Sequence, residues 1–289
     1  MLKLLKTKLL VSLLKTLGHL PYATLPTLGW CLGWAIYIFS PKTAQLMRGQ
    51  LRASKLYATE IEFKTILHAN IQSNGIGLLE TLHLWFKPYQ ASLNLVRQCS
   101  GWDAVEAAVA KNKGLIFLTP HLGCFEITSL YFGQFYPITV MFRPPRQSWL
   151  LPLITAGRQR GKVTLAPANS HGIKQLLQAL KHGEAIGILP DQAPLAGEGE
   201  WAAFFGRPAD TMTLASKLAI KTGAAVFMAF GERLDKANGY HIHINQLDSN
   251  AISTPALLNH EIECQIKQCP AQYLWSYTRY KSRRGPPPF

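Results

Sequence analysis

The order of apolar and polar positions divides the chain into a helical first third and a remainder in which short apolar runs alternate with amphipathic stretches. Residues 42–87 follow a helical pattern without an internal proline, and this pattern ends at Lys87 and Pro88. From about residue 100, β-branched and apolar runs predict strands, and the stretches between them predict helices. The predicted strands cover 114–119, 137–142, 162–166, 184–189, 224–230 and 240–246, and the predicted helices cover 101–112, 123–135, 148–160, 170–182 and 211–222. Strands that alternate with helices predict a layered α/β core.

The first 17 residues carry a basic amphipathic pattern. Leucines at positions 2, 5, 9, 13 and 17 recur at nearly helical spacing, and lysines occupy much of the other face. Such a helix is typical of a segment that lies on a membrane surface.

An uncharged segment follows, because residues 16–41 contain no Asp, Glu, Lys or Arg. Pro21 and Pro26 shorten its almost wholly apolar part to the 13 residues 27–39, whereas a spanning helix needs roughly 20. We therefore predict a membrane-associated helical anchor over 1–41, in the form of an interfacial or re-entrant hairpin. A spanning helix and a buried helix of a soluble protein are the alternatives. The rest, 42–289, is predicted to be one domain in which the helical part 42–90 packs on the α/β core.

Composition and charge agree with a protein of the membrane surface. Hydrophobic residues make up 48% of the chain and charged residues 16%, against about 25% charged in an average soluble domain. The net charge is +14, and eight basic residues precede the first acidic residue, Glu60. Because the N-terminal cations border a Leu- and Trp-rich stretch, they favour an anionic membrane, and no nucleic-acid partner is predicted.

Cysteine and histidine spacing predicts no metal site. The five cysteines include no CxxC pair, so neither a disulfide framework nor a zinc site is indicated. His241 and His243 lie on one face of a predicted strand, but no third ligand is evident. We interpret the pair as part of a surface strand.

The strongest chemical signal is the segment HLGCFE, residues 121–126. The predicted strand 114–119 ends at Pro120, so His121 lies at the carboxyl end of a strand, where the sites of α/β sheets are found. Glu126 follows at the start of a predicted helix and is expected to hold one ring nitrogen of His121, leaving the other to accept a proton from a substrate hydroxyl. Backbone N–H groups around Gly123 are expected to bind an oxyanion. The alternative is a histidine that only caps the helix.

Two arginines fit an anionic substrate. Arg143 follows the predicted strand 137–142, and Arg158 closes a predicted helix. Guanidinium groups bind phosphate through two parallel hydrogen bonds, so both are candidate phosphate ligands, and solvated or structural cations are the alternative.

Five further segments carry a family resemblance: LPDQ (189–192), FFGRPADT (204–211), LAIKTGA (218–224), PAQYLW (270–275) and RYK (279–281). Together with HLGCFE, Glu80 and Arg143-Pro144, these segments resemble the bacterial lipid A biosynthesis acyltransferases, the lauroyl and myristoyl transferases. The resemblance extends from about residue 20 to 284.

The resemblance implies a glycerophosphate-acyltransferase-like α/β core with an N-terminal helical membrane anchor. It implies transfer of an acyl chain from acyl carrier protein to a hydroxyl of an anionic lipid A precursor, at the cytoplasmic face of the inner membrane. His121 would be the general base and Glu126 its partner, Arg143 and Arg158 would contact phosphate, and Asp191 and Gln192 would line the cleft. No metal or organic cofactor is implied, because a thioester donor is already activated.

Other acceptors stay open, namely a lysophospholipid, an ornithine-type lipid or a glycolipid. Slow thioester hydrolysis and a catalytically inactive membrane scaffold are further alternatives.

Overall fold

The computed structural model describes residues 2–195, 197–248 and 250–281, with side chains from Leu5 onward. The helices are α1 (Leu2–Gly18), α2 (Leu25–Phe39), α3 (Pro41–Ser54), α4 (Glu60–Phe86), α5 (Tyr89–Leu93), α6 (Trp102–Ala110), α7 (Phe125–Phe132), α8 (Leu151–Arg158), α9 (Ser170–Lys181), α10 (Leu214–Thr222) and α11 (Pro255–Gln268). The strands are β1 (Val96–Ser100), β2 (Leu115–Leu118), β3 (Ile138–Phe142), β4 (Val163–Pro167), β5 (Ala185–Ile188), β6 (Gly199–Phe204), β7 (Arg207–Met212), β8 (Ala225–Arg233) and β9 (Tyr240–Leu247).

Seven strands form one sheet in the order β1-β9-β8-β2-β5-β3-β4. All neighbours pair in parallel except β8 and β9, which are antiparallel. All six predicted strands belong to this sheet, and the predicted α/β core is confirmed.

Alternating side chains on each strand enter two separate apolar cores. In β2, Ile116 and Leu118 pack with α9, α10 and α11, whereas Leu115 and Phe117 pack with α6 and α7. Since successive residues of a strand point to opposite faces, an apolar run with no polar position is the pattern expected of a strand covered on both sides.

The N-terminal helices pack on α4. Gly75 of α4 lies against Gly29 and Gly33 of α2, where a Cβ would overlap the carbonyl oxygen of Gly29. Among the described residues, no single helix has the length and apolar character to cross a membrane. Tyr22–Phe39 and Pro41–Ser54 meet that test only together, across a bend of 101°. The membrane anchor and the boundary at residue 41 stay predictions.

The helix predicted over 42–87 is interrupted in the structure. Lys55 adopts a left-handed conformation with φ of 56° and ends α3. A new helix then starts at a capping box, in which Thr59 Oγ1 accepts from Glu62 N at 3.2 Å and Glu62 accepts from Ala58 N at 2.6 Å. The bend divides the predicted long helix into α3 and α4.

Side chains of the helical region also form hydrogen bonds with the C-terminal part of the chain. Asn70 of α4 donates to Ala271 O at 2.9 Å and to Tyr273 O at 2.7 Å, and Gln50 of α3 donates to Trp275 O at 2.7 Å. These bonds fix the segment after α11 against the helical region.

Strands β1, β6 and β7, which carry polar patterns, were not predicted, and neither was helix α11. Strand β6 starts at Gly199. The buried Arg279 holds the hairpin of β6 and β7 by donating to Asp210 O at 2.7 Å and to Thr211 Oγ1 at 2.9 Å.

Candidate active site

The turn that carries His121 is clamped between β8 and the C-terminal segment. Gly123 N donates to Gln272 O at 3.0 Å, and Cys124 N donates to Gly231 O at 2.7 Å. Gly123 has φ of 60°, and a Cβ there would overlap the carbonyl oxygen of Gly231. A glycine is required at this position because both the conformation and the close approach exclude a side chain.

Sheet register brings His121 next to Asp191. Leu118 of β2 pairs with Ile188 of β5, and His121 and Asp191 each lie three residues beyond that pair. His121 Nδ1 is 2.9 Å from Asp191 Oδ1, and His121 N donates to Asp191 Oδ2 at 3.0 Å. The side chains are 12% and 2% exposed, respectively.

The partners of His121 define its proton positions. An ionised carboxylate can only accept hydrogen bonds, so the ring proton lies on His121 Nδ1, which donates to Asp191. The amide Nε2 of Gln192 lies 3.1 Å from His121 Nε2 and donates to the lone pair there. This is the tautomer in which Nε2 can accept a proton from a substrate.

The environment keeps Asp191 ionised. Burial by itself would raise the pKa of this carboxyl, but the charge of His121 and the hydrogen bonds from its Nδ1 and backbone N–H outweigh burial and lower the pKa. The carboxylate is therefore present throughout the neutral range.

Glu126 has a different partner from the one that the sequence predicted. Both ring nitrogens of His121 are engaged by Asp191 and Gln192, so the expected His121–Glu126 hydrogen bond was wrong. Glu126 instead binds Arg158, whose Nε lies 2.9 Å from Oε2 and 3.1 Å from Oε1 and whose Nη2 contacts Oε1. Arg158 was predicted as a phosphate ligand, but its Nε and Nη2 bind the buried Glu126 carboxylate.

His121 faces an open cleft with about 440 Å³ of free volume. Helix α4, the turn 121–126 and the C-terminal segment form its walls. The residues there that the sequence singled out are Glu80, His121, Gly123, Glu126, Arg158 and Gln192.

A second ion pair lies in the wall of this cleft. Arg233 Nε is 2.8 Å from Glu80 Oε2, its Nη2 contacts Oε1 and its Nη1 donates to Ser73 Oγ at 2.9 Å. Burial by itself would lower the pKa of Arg233, but the Glu80 carboxylate raises it above its ordinary value, so the guanidinium stays charged.

A narrow apolar cavity lies beside the cleft, with about 50 Å³ of free volume. It extends between α7 and the sheet, past Phe117, Phe132 and Val140. Phe125, Glu126 and Arg158 line both spaces. These three side chains therefore form the boundary between a polar cleft and an apolar cavity.

Besides Glu126 and Arg158, three predicted residues differ from expectation. Asp191, expected to line the cleft, is buried and is not among the residues that line it. Arg143 is exposed and is not among the residues that line the cleft or the apolar cavity. Gly123 lines the cleft, but its N–H already donates to Gln272. The earliest N–H groups of α7, on Phe125 and Glu126, precede any intrahelical partner and are the better candidates for an oxyanion.

A model of the family described as bacterial lipid A biosynthesis acyltransferase matches residues 1–282. The chain belongs to this family. It is 27% identical over 272 residues to the lipid A biosynthesis palmitoleoyltransferase of Escherichia coli K12. This match covers 92% of this chain and 87% of that relative. It is 25% identical over 279 residues to the lipid A biosynthesis lauroyltransferase of the same organism, with 94% and 90% covered. A lipid A biosynthesis acyltransferase of Haemophilus influenzae is 28% identical over 190 residues, with 64% and 59% covered.

The protein is therefore an acyltransferase, and its site contains groups that the motif HLGCFE did not reveal. From sequence, Asp191 is expected in the cleft wall without a link to His121, and no local pattern distinguishes Arg233. The available signal for Asp191 was its position just after a predicted strand, as for His121. Nothing local in the sequence connects Arg233 with Glu80, which lies 153 residues earlier.

Cys124 lies in the turn and is buried. Burial raises the pKa of its thiol well above the ordinary value, with a further contribution from the Glu80 charge. The thiol stays protonated and packs as a small apolar group.

Proposed function

We propose that this acyltransferase moves a fatty acyl chain from a thioester of acyl carrier protein to a hydroxyl of an anionic lipid A precursor, with His121 as the general base. The observation that carries the proposal is the His121–Asp191 pair, whose Nε2 faces a cleft that adjoins an apolar cavity. Membership of the lipid A acyltransferase family supports the reaction class.

The reaction needs one proton acceptor and a site for negative charge. The acceptor hydroxyl replaces Gln192 at His121 Nε2 and gives up its proton as its oxygen attacks the thioester carbonyl carbon. The C–S bond then breaks, and the imidazolium returns the proton to the leaving thiolate. Asp191 stabilises the imidazolium, and a general base in this role contributes about 10²–10⁴-fold.

Negative charge on the carbonyl oxygen is proposed to be stabilised at the start of α7. The N–H groups of Phe125 and Glu126 point from a helix N-terminus, where partial positive charge accumulates. Glu126 is the second residue proposed for catalysis. It acts by holding the Arg158 guanidinium beside this position rather than by touching His121.

The apolar cavity is the proposed site of the acyl chain. Its lining is mostly aromatic and aliphatic, and burying each methylene contributes about 0.8 kcal/mol. With about 50 Å³ of free volume, it admits a chain only when side chains such as Phe125 move aside.

Cationic groups fit the anionic acceptor. Arg158 and Arg233 line the cleft and are proposed to contact phosphate there through the N–H groups that their carboxylate partners leave available. Arg143, outside the cleft, is proposed to contact a headgroup portion that extends beyond it.

The N-terminal helices are proposed to lie on the cytoplasmic face of the inner membrane. Exposed apolar side chains on α1 and α2 include Leu9 at 63% and Phe39 at 85%, and Lys6, Lys8 and Lys15 are exposed beside them. Apolar area and cations together favour binding to anionic lipid.

Vesicle sedimentation tests this membrane contact. Leu9→Glu is expected to reduce binding to anionic vesicles, whereas Ile220→Glu, at an exposed position of α10, is expected to leave it unchanged. Equal loss in both variants would contradict the assignment to α1.

An acyl-transfer assay tests the reaction. The purified protein in detergent receives acyl carrier protein thioesters or coenzyme A thioesters of several chain lengths. A tetra- or penta-acylated lipid A precursor and a lysophospholipid are offered together, and the products are identified by mass spectrometry. We expect transfer from acyl carrier protein to the lipid A precursor, and loss of transfer in His121→Ala.

Matched variants make the outcome specific. His182→Ala, at an exposed position, is expected to keep full activity. Transfer only to the lysophospholipid would contradict the proposed lipid A acceptor. A preference for coenzyme A thioesters would contradict acyl carrier protein as the donor. Undiminished transfer in His121→Ala would contradict the role of His121 as the general base.

A further inference from the structure

Three potential metal ligands meet in the sheet away from the cleft. Among the described residues, Glu232, His241 and His243 each offer one ligand atom, and these atoms lie within 4.8 Å of one another. None of the three is among the residues that line the cleft or the apolar cavity.

Sheet register explains why these side chains meet. His241 and His243 are two residues apart on β9, so both point to the same face. Glu232 of β8 pairs directly with His241 in the antiparallel ladder and thus projects on that face as well. The third ligand comes from a strand that the histidine spacing could not indicate.

The geometry suits a small tetrahedral cation. With metal–ligand bonds of about 2.0–2.2 Å, tetrahedral ligand atoms lie about 3.3 Å apart. Here His243 Nε2 is 2.7 Å from Glu232 Oε2, and the whole set spans at most 4.8 Å. Small side-chain movements therefore bring the three atoms into one coordination sphere.

Neighbouring groups orient both rings. Ser100 Oγ of β1 is 2.7 Å from His241 Nε2, and the Phe230 ring stacks on His243 with centroids 4.6 Å apart and an interplanar angle of 11°. The two imidazole centroids are only 3.9 Å apart. Hydrogen-bonded and packed neighbours of this kind hold metal-binding histidines in the correct orientation.

We propose that Glu232, His241 and His243 bind one divalent cation of the late first transition row, with zinc as the reference ion and water as the fourth ligand. Two imidazoles and a carboxylate are donors that zinc accepts, and one negative charge partly balances the cation. The site connects β8 with β9, and through Ser100 it contacts β1. Its effect is to hold these strands together next to Arg233, and it is independent of the acyl-transfer proposal.

Zinc titration of the purified full-length protein after chelator treatment tests the site. Competition with a chromophoric chelator is expected to give one saturable zinc per chain, and the melting temperature is expected to rise with zinc concentration. His243→Gln and Glu232→Gln are expected to lose this binding, and Ser100→Ala is expected to weaken it about tenfold.

The chain offers a matched control in α11. His260 Nε2 and Cys264 Sγ form a separate pair 3.6 Å apart, so His260→Gln is expected to leave zinc binding intact. The proposal is overturned if the wild-type protein binds no zinc saturably, if His243→Gln retains binding, or if His260→Gln abolishes it. Circular dichroism checks that each variant is folded. Cobalt(II) absorption of the wild-type protein provides a second measurement, and a tetrahedral spectrum is expected.

Discussion

Two histidine–carboxylate pairs in this acyltransferase have similar contacts and different surroundings. His121 lies 2.9 Å from Asp191, and His243 lies 2.7 Å from Glu232. Asp191 is 2% exposed and Glu232 is 35% exposed. The buried Asp191 carboxylate is shielded from solvent and accepts from His121 Nδ1, whereas the Glu232 carboxylate is partly exposed to solvent. Burial of the carboxylate, not its distance from the histidine, distinguishes the His121 pair from the His243 pair.

The largest expected effect separates the two pairs by activity. Asp191→Asn is expected to lower kcat/KM by about 10²–10⁴-fold, because the amide can donate to Nδ1 and leave the proton on Nε2. Glu232→Gln is expected to leave kcat/KM unchanged. Steady-state kinetics over a range of pH provide the measurement.

Asp248→Asn, at an exposed position, is the matched control for the aspartate. Full activity in Asp191→Asn, or a comparable loss in Glu232→Gln, would contradict the distinction between the pairs.

The next largest effect concerns the free energy of unfolding, and it compares the buried Glu80–Arg233 pair with the partly exposed Glu232. Arg233→Met leaves the Glu80 charge buried without its cation and is expected to lower the free energy of unfolding by about 3–5 kcal/mol. In chelator-treated protein, Glu232→Gln is expected to change it by less than about 1 kcal/mol. Urea unfolding measures the change in unfolding free energy for each variant. Similar changes in the two variants would contradict the idea that burial makes the Glu80–Arg233 pair more important for stability.

A smaller effect concerns the boundary between cleft and cavity. A lysine at position 158 cannot form two parallel hydrogen bonds with Glu126. Arg158→Lys is therefore expected to lower kcat/KM by about 10–100-fold, equivalent to about 1.4–2.7 kcal/mol. Arg146→Lys, on an exposed loop, is the control. Unchanged kinetics in Arg158→Lys would show that the pair does not position the reacting groups.

The smallest effect is a pH dependence of stability. Because the folded pKa of Asp191 is below its ordinary value, its contribution is complete above the unfolded pKa, about 3.9, and is lost as pH falls through the folded pKa. We expect Asp191→Asn to reduce the acid-induced loss of unfolding free energy below about pH 4. Urea unfolding at a series of pH values tests this, and parallel curves for wild-type protein and Asp191→Asn would refute it.

Prediction from sequence succeeded where the pattern is local. Apolar runs such as 114–119 correctly predicted six strands of the sheet, because strands buried on both faces exclude polar positions. The polar edge strand β1 and the β6–β7 hairpin lack that signal. The bend at Lys55 was missed because its evidence is a capping box rather than a proline or glycine.

The sequence by itself determined that His121 lies at a strand end and that a basic, apolar segment begins the chain, since strand pattern and charge are properties of neighbouring residues. Only the tertiary structure decided which carboxylate reaches His121. Strands β3 and β4 separate β2 from β5 along the chain, yet β5 lies beside β2 in the sheet, so Asp191 takes the position that sequence spacing assigned to Glu126. The same reason brings Glu232 to His241, because partners across a ladder are set by strand order and register rather than by distance along the chain.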